Sequence, residues 1–372
     1  MEATSLYLVA IELLLAFCGW NFFLYCAFSK KCLFSKADIY VVLLTVISAI
    51  WFVLGDADGG RWLSFKTTLF VCCFYLSSKY PRQGMLLLAV LALVGFLLDD
   101  VASGEYLSKH VGTNANQLLT IPFTLIACAL FLYRRDNYIN LMMLYFVAGF
   151  EIFCAFIIGA RAAAISALLV IILVSSVKVS RIFIKFGQWV PFIYLIIALI
   201  SYYSMQSEVN LVPATPSNIE RSSMIFAAIS HFFEYLFTGP RGEFDQLAGA
   251  ATRVFDFQIY SNIKGVDPHF FFLSLWRDEG AILTLLWLFT WFYYWNAVKS
   301  LRTQLDETRI RVILGMLAIA VVQFSIAPPS TGKRLLVALI MGSALGFANK
   351  RSSVKANHLY NRNSHSALFR SV

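Results

Sequence analysis

Eleven apolar runs, each close to the length that crosses a bilayer, dominate this chain and decide what it can fold into. A helix needs ~20 apolar residues to traverse ~30 Å of hydrocarbon, and within lipid every backbone amide must be satisfied internally. The runs fall at about residues 5–28, 37–54, 62–78, 84–98, 117–133, 138–159, 162–177, 189–204, 270–297, 310–327 and 334–348. They predict an all-α polytopic membrane protein with about 11 transmembrane helices. With 59% hydrophobic and only 14% charged residues, a soluble globular fold is excluded. The first run, Ser5 to Phe28, follows Glu2 without a basic leader or a small-residue cleavage pattern, so it reads as a retained span, not a signal peptide.

Orientation follows from the connectors. Basic ones (Lys30, Lys31, Lys36; Lys79, Arg82; Arg134, Arg135; Lys178, Arg181, Lys185; Lys299, Arg302, Arg309, Arg311) alternate with acidic or neutral ones, and the tail carries Lys350, Arg351, Lys355, Arg362 and Arg370. The positive-inside rule then puts the N-terminus outside and the tail in the cytoplasm. Residues 1–204 hold spans one to eight, 205–269 form a large outer-face loop, 270–348 hold spans nine to eleven, and 349–372 are the basic tail. A net charge of +9 spread over short connectors points to anionic membrane lipid as partner and away from nucleic acid. The seven cysteines all lie in or beside apolar runs, which supports neither a disulfide framework nor a zinc site.

The outer loop is the only long polar interval, and its aromatic content argues against disorder. Eight of the outward cations, Arg161, Arg221, Arg241, Arg253, Lys264, Arg277, Lys333 and Arg334, lie from residue 161 onward. Cations outside work against the orientation signal, so they suggest an anionic ligand; pairing with Glu208, Glu220, Glu234, Glu243, Asp245, Asp256 and Asp267 is the plainer alternative. Ser223 to Phe237 is apolar but too short to span, and it ends at Gly239-Pro240. It reads as an interfacial helix that holds the following Gly-Pro-Arg-Gly-Glu-Phe-Asp turn near the headgroups.

Three segments resemble the bacterial O-antigen polymerase and O-antigen ligase superfamily. Gly159-Ala160-Arg161-Ala162-Ala163 is similar to its Ser-Arg-x-Ala element. Arg221, an amphipathic stretch and Gly239-Pro240-Arg241-Gly242-Glu243-Phe244 resemble its arginine, helix and glycine turn. Asp267-Pro268-His269, Phe272-Leu273 and Glu279-Gly280 resemble its His-Asn-x-x-Leu and Glu-x-Gly signature, with Phe270 in place of the asparagine. The likeness covers roughly residues 155 to 290 and each motif is loose. It implies a multi-span, GT-C-like glycosyltransferase of the bacterial inner membrane, independent of metal and cofactor, whose partners are undecaprenyl-pyrophosphate-linked repeat units and, around it, a flippase and a chain-length regulator. The polymerase transfers a glycan from one lipid pyrophosphate to the terminal sugar of another unit; the ligase transfers it to lipid A-core.

On that reading Arg161, Arg221 and Arg241 surround the pyrophosphate, since a planar guanidinium binds phosphate oxygens bidentately and stays charged. His269 is the candidate general base for the acceptor hydroxyl, with capping or a carbonyl bond as its bland role. Arg253, Lys264, Asp267, Arg277 and Glu279 are candidate substrate contacts, and Glu279 could equally cap its own helix. His231, among Phe232 and Phe233, reads as packing. Asp56-Ala57-Asp58-Gly59-Gly60 is explained by an Asp-Gly turn as well as by a metal, and lacks a third ligand. Glu12 and Glu151 lie in apolar runs, where a carboxylate is functional or bonds a neighbouring helix. Trp287 to Trp295 read as an interfacial belt. From another class, a carrier of lipid-linked sugar remains an alternative, although it would favour paired broken helices.

Overall fold

The computed structural model describes residues 39, 40, 42–44, 46, 47, 60–95, 123–133, 138–158, 161–207, 211, 213, 215–253, 270–326 and 336–349. Among the described residues all regular structure is helical. In chain order the helices are α1 Gly60–Lys79, α2 Pro81–Gly95, α3 Phe123–Tyr133, α4 Tyr138–Ile158, α5 Arg161–Ser175, α6 Val177–Phe186, α7 Val190–Gln206, α8 Pro216–Ser230 and α9 Arg241–Arg253. Then come α10 Phe271–Glu279, α11 Ala281–Val298, α12 Thr308–Ile326 and α13 Leu336–Asn349. Short 3-10 turns follow α6 and α11, at Gly187–Trp189 and Lys299–Gln304. Three helical stretches, Tyr138–Ile157, Val177–Gln206 and Ala281–Gln304, are long and apolar enough to cross a membrane, while α5 and α13 belong to a shorter apolar set. The runs at 5–28 and Glu12 lie outside the described residues, as does the Asp56–Asp58 turn.

The core is built around α12. Every residue from Val312 to Val322 is buried, and a helix apolar on all sides belongs inside a bundle. It packs chiefly on α5 and also on α3, α6, α7 and α10. At its start Arg311 ties three neighbours down, donating from Nε to the Val174 carbonyl at 2.7 Å and from Nη1 to the Leu305 and Asp306 carbonyls at 2.9 and 3.0 Å. Elsewhere close approach is set by glycine. A Cβ on Gly342 would stand 2.0 Å from Ser77 Oγ, and one on Gly346 would stand 2.4 Å from the Ser78 carbonyl. This Gly-x-x-x-Gly spacing on α13 lets its backbone touch α1, as small residues do between membrane helices.

Glu151 takes the second of its two expected roles. Buried on α4, it accepts from the Thr124 amide at 2.8 Å and from the Thr124 hydroxyl, and so caps the N-terminus of α3 from the neighbouring helix. Glu151→Leu should destabilise the fold by about 1–3 kcal/mol, because the Thr124 amide and hydroxyl lose their acceptor. Glu151→Gln keeps an acceptor oxygen, so its unfolding midpoint in detergent should stay close to that of the wild type.

Two expectations about the polar interval change. The run at 270–297 is not one span: it breaks at Gly280, whose φ of 84° is available to glycine at little cost, into α10 and α11. The expected interfacial helix at Ser223–Phe237 is instead α8, Pro216–Ser230, opened by Pro216 and by the Thr215 side chain at the N-cap. Its residues Ser222 to Ile225, Ala227 and Ala228 are all buried. Small side chains here allow α7, α9 and α10 to pack closely around it.

Candidate functional site

Aromatic contacts establish how the polar interval is folded. Trp291 donates from Nε1 to the Gln188 carbonyl at 3.1 Å and Trp295 to the Ile184 carbonyl at 3.0 Å, so α11 runs antiparallel to α6 and α7. Phe271 meets the Trp287 ring edge-on at 6.3 Å, and Phe272 stacks on Phe192 at 6.1 Å. The start of α10 therefore lies about half-way down α11, roughly 13 Å from Gly280 by helix rise. In short, α10 folds back against α11 as a hairpin.

Helices α8 and α9 form a second antiparallel hairpin against α7 and α10. Phe226 stacks on Tyr202 at 4.2 Å, and the Tyr202 hydroxyl donates to the Ala251 carbonyl at 3.2 Å. Further along, Phe232 and Phe244 both rest on Trp276, at 6.0 and 6.1 Å, and Tyr235 meets it edge-on at 6.0 Å. Trp276 is fully buried and donates from Nε1 to the Phe232 carbonyl at 2.9 Å. It is the pin on which the turn between the hairpins is hung.

That turn is locked by backbone contact. A Cβ on Gly239 would lie 2.0 Å from the Arg277 carbonyl oxygen, and one on Gly280 would lie 2.9 Å from the Thr238 nitrogen. The amides of Ala281 and Ile282, which open α11, donate to the Tyr235 and Leu236 carbonyls at 2.8 and 3.0 Å. Two orphan donors of a helix start are thereby satisfied by the turn. The result is a polar corner made of 231–243 and 277–280.

Three side-chain pairs meet there. His231, half-buried at the C-cap of α8, has Nδ1 2.7 Å from Glu234 Oε2. The Tyr235 hydroxyl donates to Glu243 Oε2 at 2.5 Å, and this bond, with some burial and the nearby carboxylates, pushes the phenol up to about 12. The phenol therefore keeps its proton, and so its ability to donate, until pH rises toward that value. Arg277 Nε lies 3.0 Å from Asp278 Oδ1. Glu279 is buried at the last position of α10, so it does not cap the start of its own helix.

The three expected arginines stand on three helices, Arg161 on α5, Arg221 on α8 and Arg241 on α9. Arg241 opens α9 at the polar corner, two residues beyond Gly239. Arg221 lies toward the other end of the hairpin, roughly 20 Å along it by helix rise. There it stands within electrostatic reach of Tyr194, which stacks on Phe270 at 6.5 Å. Beside it Glu220 is shifted upward by burial, and the Arg221 charge opposes that shift. Exposed Arg253 ends α9 nearer this second group. Arg161 opens α5, whose principal neighbours are α4, α6 and α12, not the α8–α9 hairpin. His269, Lys264 and Asp267 lie outside the described residues.

Sequence reasoning passed over two features of the corner. His231 is not packing among phenylalanines but a histidine set against a carboxylate, and its spacing from Glu234, three residues on, was the available signal. Trp276 had no signal beyond being a tryptophan inside a polar stretch. Among the described residues no group of three His, Cys, Asp or Glu side chains could hold a metal ion.

Among the described residues the regular structure is all helical, and the three long apolar helices suggest a membrane protein. None of the protein-family models, curated proteins or solved structures compared with the chain matches it.

Proposed function

We propose that the protein is a surface-polysaccharide polymerase, moving a glycan from undecaprenyl pyrophosphate onto the terminal sugar of another lipid-linked repeat unit. The observation that supports this best is the docking of the Gly239-Pro240 turn on the Arg277–Gly280 corner, which joins two of the three family-like segments backbone to backbone. In this proposal the bond from the anomeric carbon to the pyrophosphate oxygen breaks, and the acceptor hydroxyl oxygen takes its place. Arg241 and Arg277 at the corner neutralise the departing diphosphate, a task suited to charge placed in advance of the reaction. Arg221 serves the opposite end of α10, next to the segment that carries His269. The hydroxyl proton goes to a histidine, either His269 or the His231–Glu234 pair.

The finer architecture belongs to the same proposal: eleven spans in a GT-C-like arrangement in a bacterial inner membrane, N-terminus outside, tail in the cytoplasm, working with a flippase and a chain-length regulator. A second reading is favoured by one observation. The helix break at Gly280, with α10 folded back on α11, is the kind of discontinuity that carriers use at a binding site.

Purified full-length protein in proteoliposomes, given a lipid-linked repeat unit, separates these readings. Ladder formation supports the polymerase; transfer to lipid A-core means ligase; movement of the unit across the bilayer with neither product means carrier. Whichever histidine is the base should lose about 10²- to 10⁴-fold in turnover when changed to alanine, together with the acidic limb of the pH-rate profile. If both His269→Ala and His231→Ala keep the wild-type profile, the histidine step is wrong.

A further inference from the structure

At the opposite end of α7 from the polar corner lies a helix whose chemistry the proposed reaction does not use. The stretch Val177–Gln206 has 30 residues. At ~1.5 Å per residue this is about 45 Å, well beyond ~30 Å of hydrocarbon. The surplus is α6, the segment that sequence reasoning treated as a short basic connector.

Its inner face is firmly held. Ser176 accepts from the Val179 amide at 3.3 Å, buried Ser180 donates to the Leu173 carbonyl at 2.6 Å, and Trp295 donates to the carbonyl of buried Ile184. A Cβ on Gly187 would come 2.4 Å from the Trp295 ring, so the end of α6 sits directly on α11. The outer face is free of such contacts. Lys178, Arg181, Ile182, Lys185 and Phe186 are exposed, and Trp189 follows one turn on. At ~100° per residue the three cations occupy an arc of roughly 60°, and Ile182 and Phe186 lie along one flank of it. Among the described residues none of the three cations has a carboxylate within ion-pair distance. Lys185 Nζ lies 4.9 Å from the Phe186 ring centroid.

A soluble surface does not need Ile182, Phe186 and Trp189 beside a row of cations, and a buried interface would not leave three charges unpaired. The side-by-side flanks fit the boundary between headgroup and acyl chain, with cations at phosphate level and large apolar groups below. The basic connectors assign this end to the cytoplasmic leaflet, where anionic lipids concentrate. We propose that the exposed face of α6 is a docking site for the headgroup of an anionic phospholipid, held by Lys178, Arg181 and Lys185, with Ile182, Phe186 and Trp189 seated in the acyl boundary.

The test uses the full-length protein in neutral detergent, titrated with phosphatidylglycerol or phosphatidylcholine of matched chains. Retained lipid is counted by native mass spectrometry and the melting midpoint is followed in parallel. Wild type should retain phosphatidylglycerol with a preference of at least about tenfold, since each basic group near an anionic surface contributes substantially. The K178Q/R181Q/K185Q variant, altered only at exposed positions and checked for unchanged helix content, should lose that preference. F186S with W189S should weaken retention of both lipids while keeping the charge preference. Equal retention of the two lipids by wild type, or an undiminished preference in the triple variant, overturns the proposal. So does a melting shift from inorganic phosphate alone that matches that from phosphatidylglycerol, because it would mean a soluble-phosphate site. None of these readouts depends on glycan transfer, so the polymerase reading can fail while this one stands.

Discussion

If the protein is the polymerase proposed above, Arg241→Ala should abolish chain extension while leaving protein level and melting midpoint unchanged. The expected loss is about a hundredfold or more in polymer formed per unit time, the range for removing a donor aimed at developing negative charge. The stability side follows from position. Arg241 opens α9, where a cation lies at the unfavourable end of the helix dipole and contributes nothing to the helix itself. Arg241→Lys should recover part of the activity, since it restores charge without the planar fork. Arg221→Ala, at the other end of the hairpin, should give a different kinetic defect; identical defects in the two variants would argue for one shared diphosphate after all. Full-length polymer from Arg241→Ala would remove this residue from the site.

Trp276→Ala carries the largest stability effect. It removes a fully buried indole from between Phe232, Tyr235 and Phe244, and leaves the Phe232 carbonyl without its donor. Loss of a large aromatic from a packed interior costs about 3–5 kcal/mol. Trp276→Phe keeps most of the packing and gives up the hydrogen bond, a cost of about 1–3 kcal/mol. Denaturant unfolding in detergent separates the two. Because α8, α9 and α10 all meet at this ring, Trp276→Ala should also loosen the turn at Gly239 and make it susceptible to proteolysis, while α12 and its partners stay protected. Uniform loss of protection would mean that the polar interval is not a unit distinct from the bundle.

Much of the bundle was legible from hydropathy. The runs at 138–159, 162–177 and 310–327 return as α4, α5 and α12 with ends shifted by at most a few residues, because a long apolar stretch has no stable alternative to a helix away from water. Glu151 was recognisable as an oddity, and its partner was not, since Thr124 is distant in sequence and is brought to it only by helix packing. The basic connector at 178–185 hid a helix for a related reason: positive charge reads as an orientation signal whether or not the backbone around it is ordered.

The polar interval is where local pattern and folded structure part. Residues 270–297 are apolar except for Arg277-Asp278-Glu279, and that charged triplet before Gly280 was the local mark of the break; the reversal itself exists because the turn at 235–239 supplies carbonyls to the start of α11. Likewise Arg161, Arg221 and Arg241 share a side of the membrane by sequence argument, yet two of them stand at opposite ends of a helical hairpin. Composition and periodicity determined by themselves that this chain is helical, membrane-directed and furnished with one long polar stretch, since those follow from the transfer of side chains out of water and hold residue by residue. Which charged groups meet was decided only by tertiary packing, because it depends on where aromatic rings such as Trp276 and Phe226 find partners and on where a glycine admits a second backbone. Those are contacts between segments, and no window along the chain contains both sides of them.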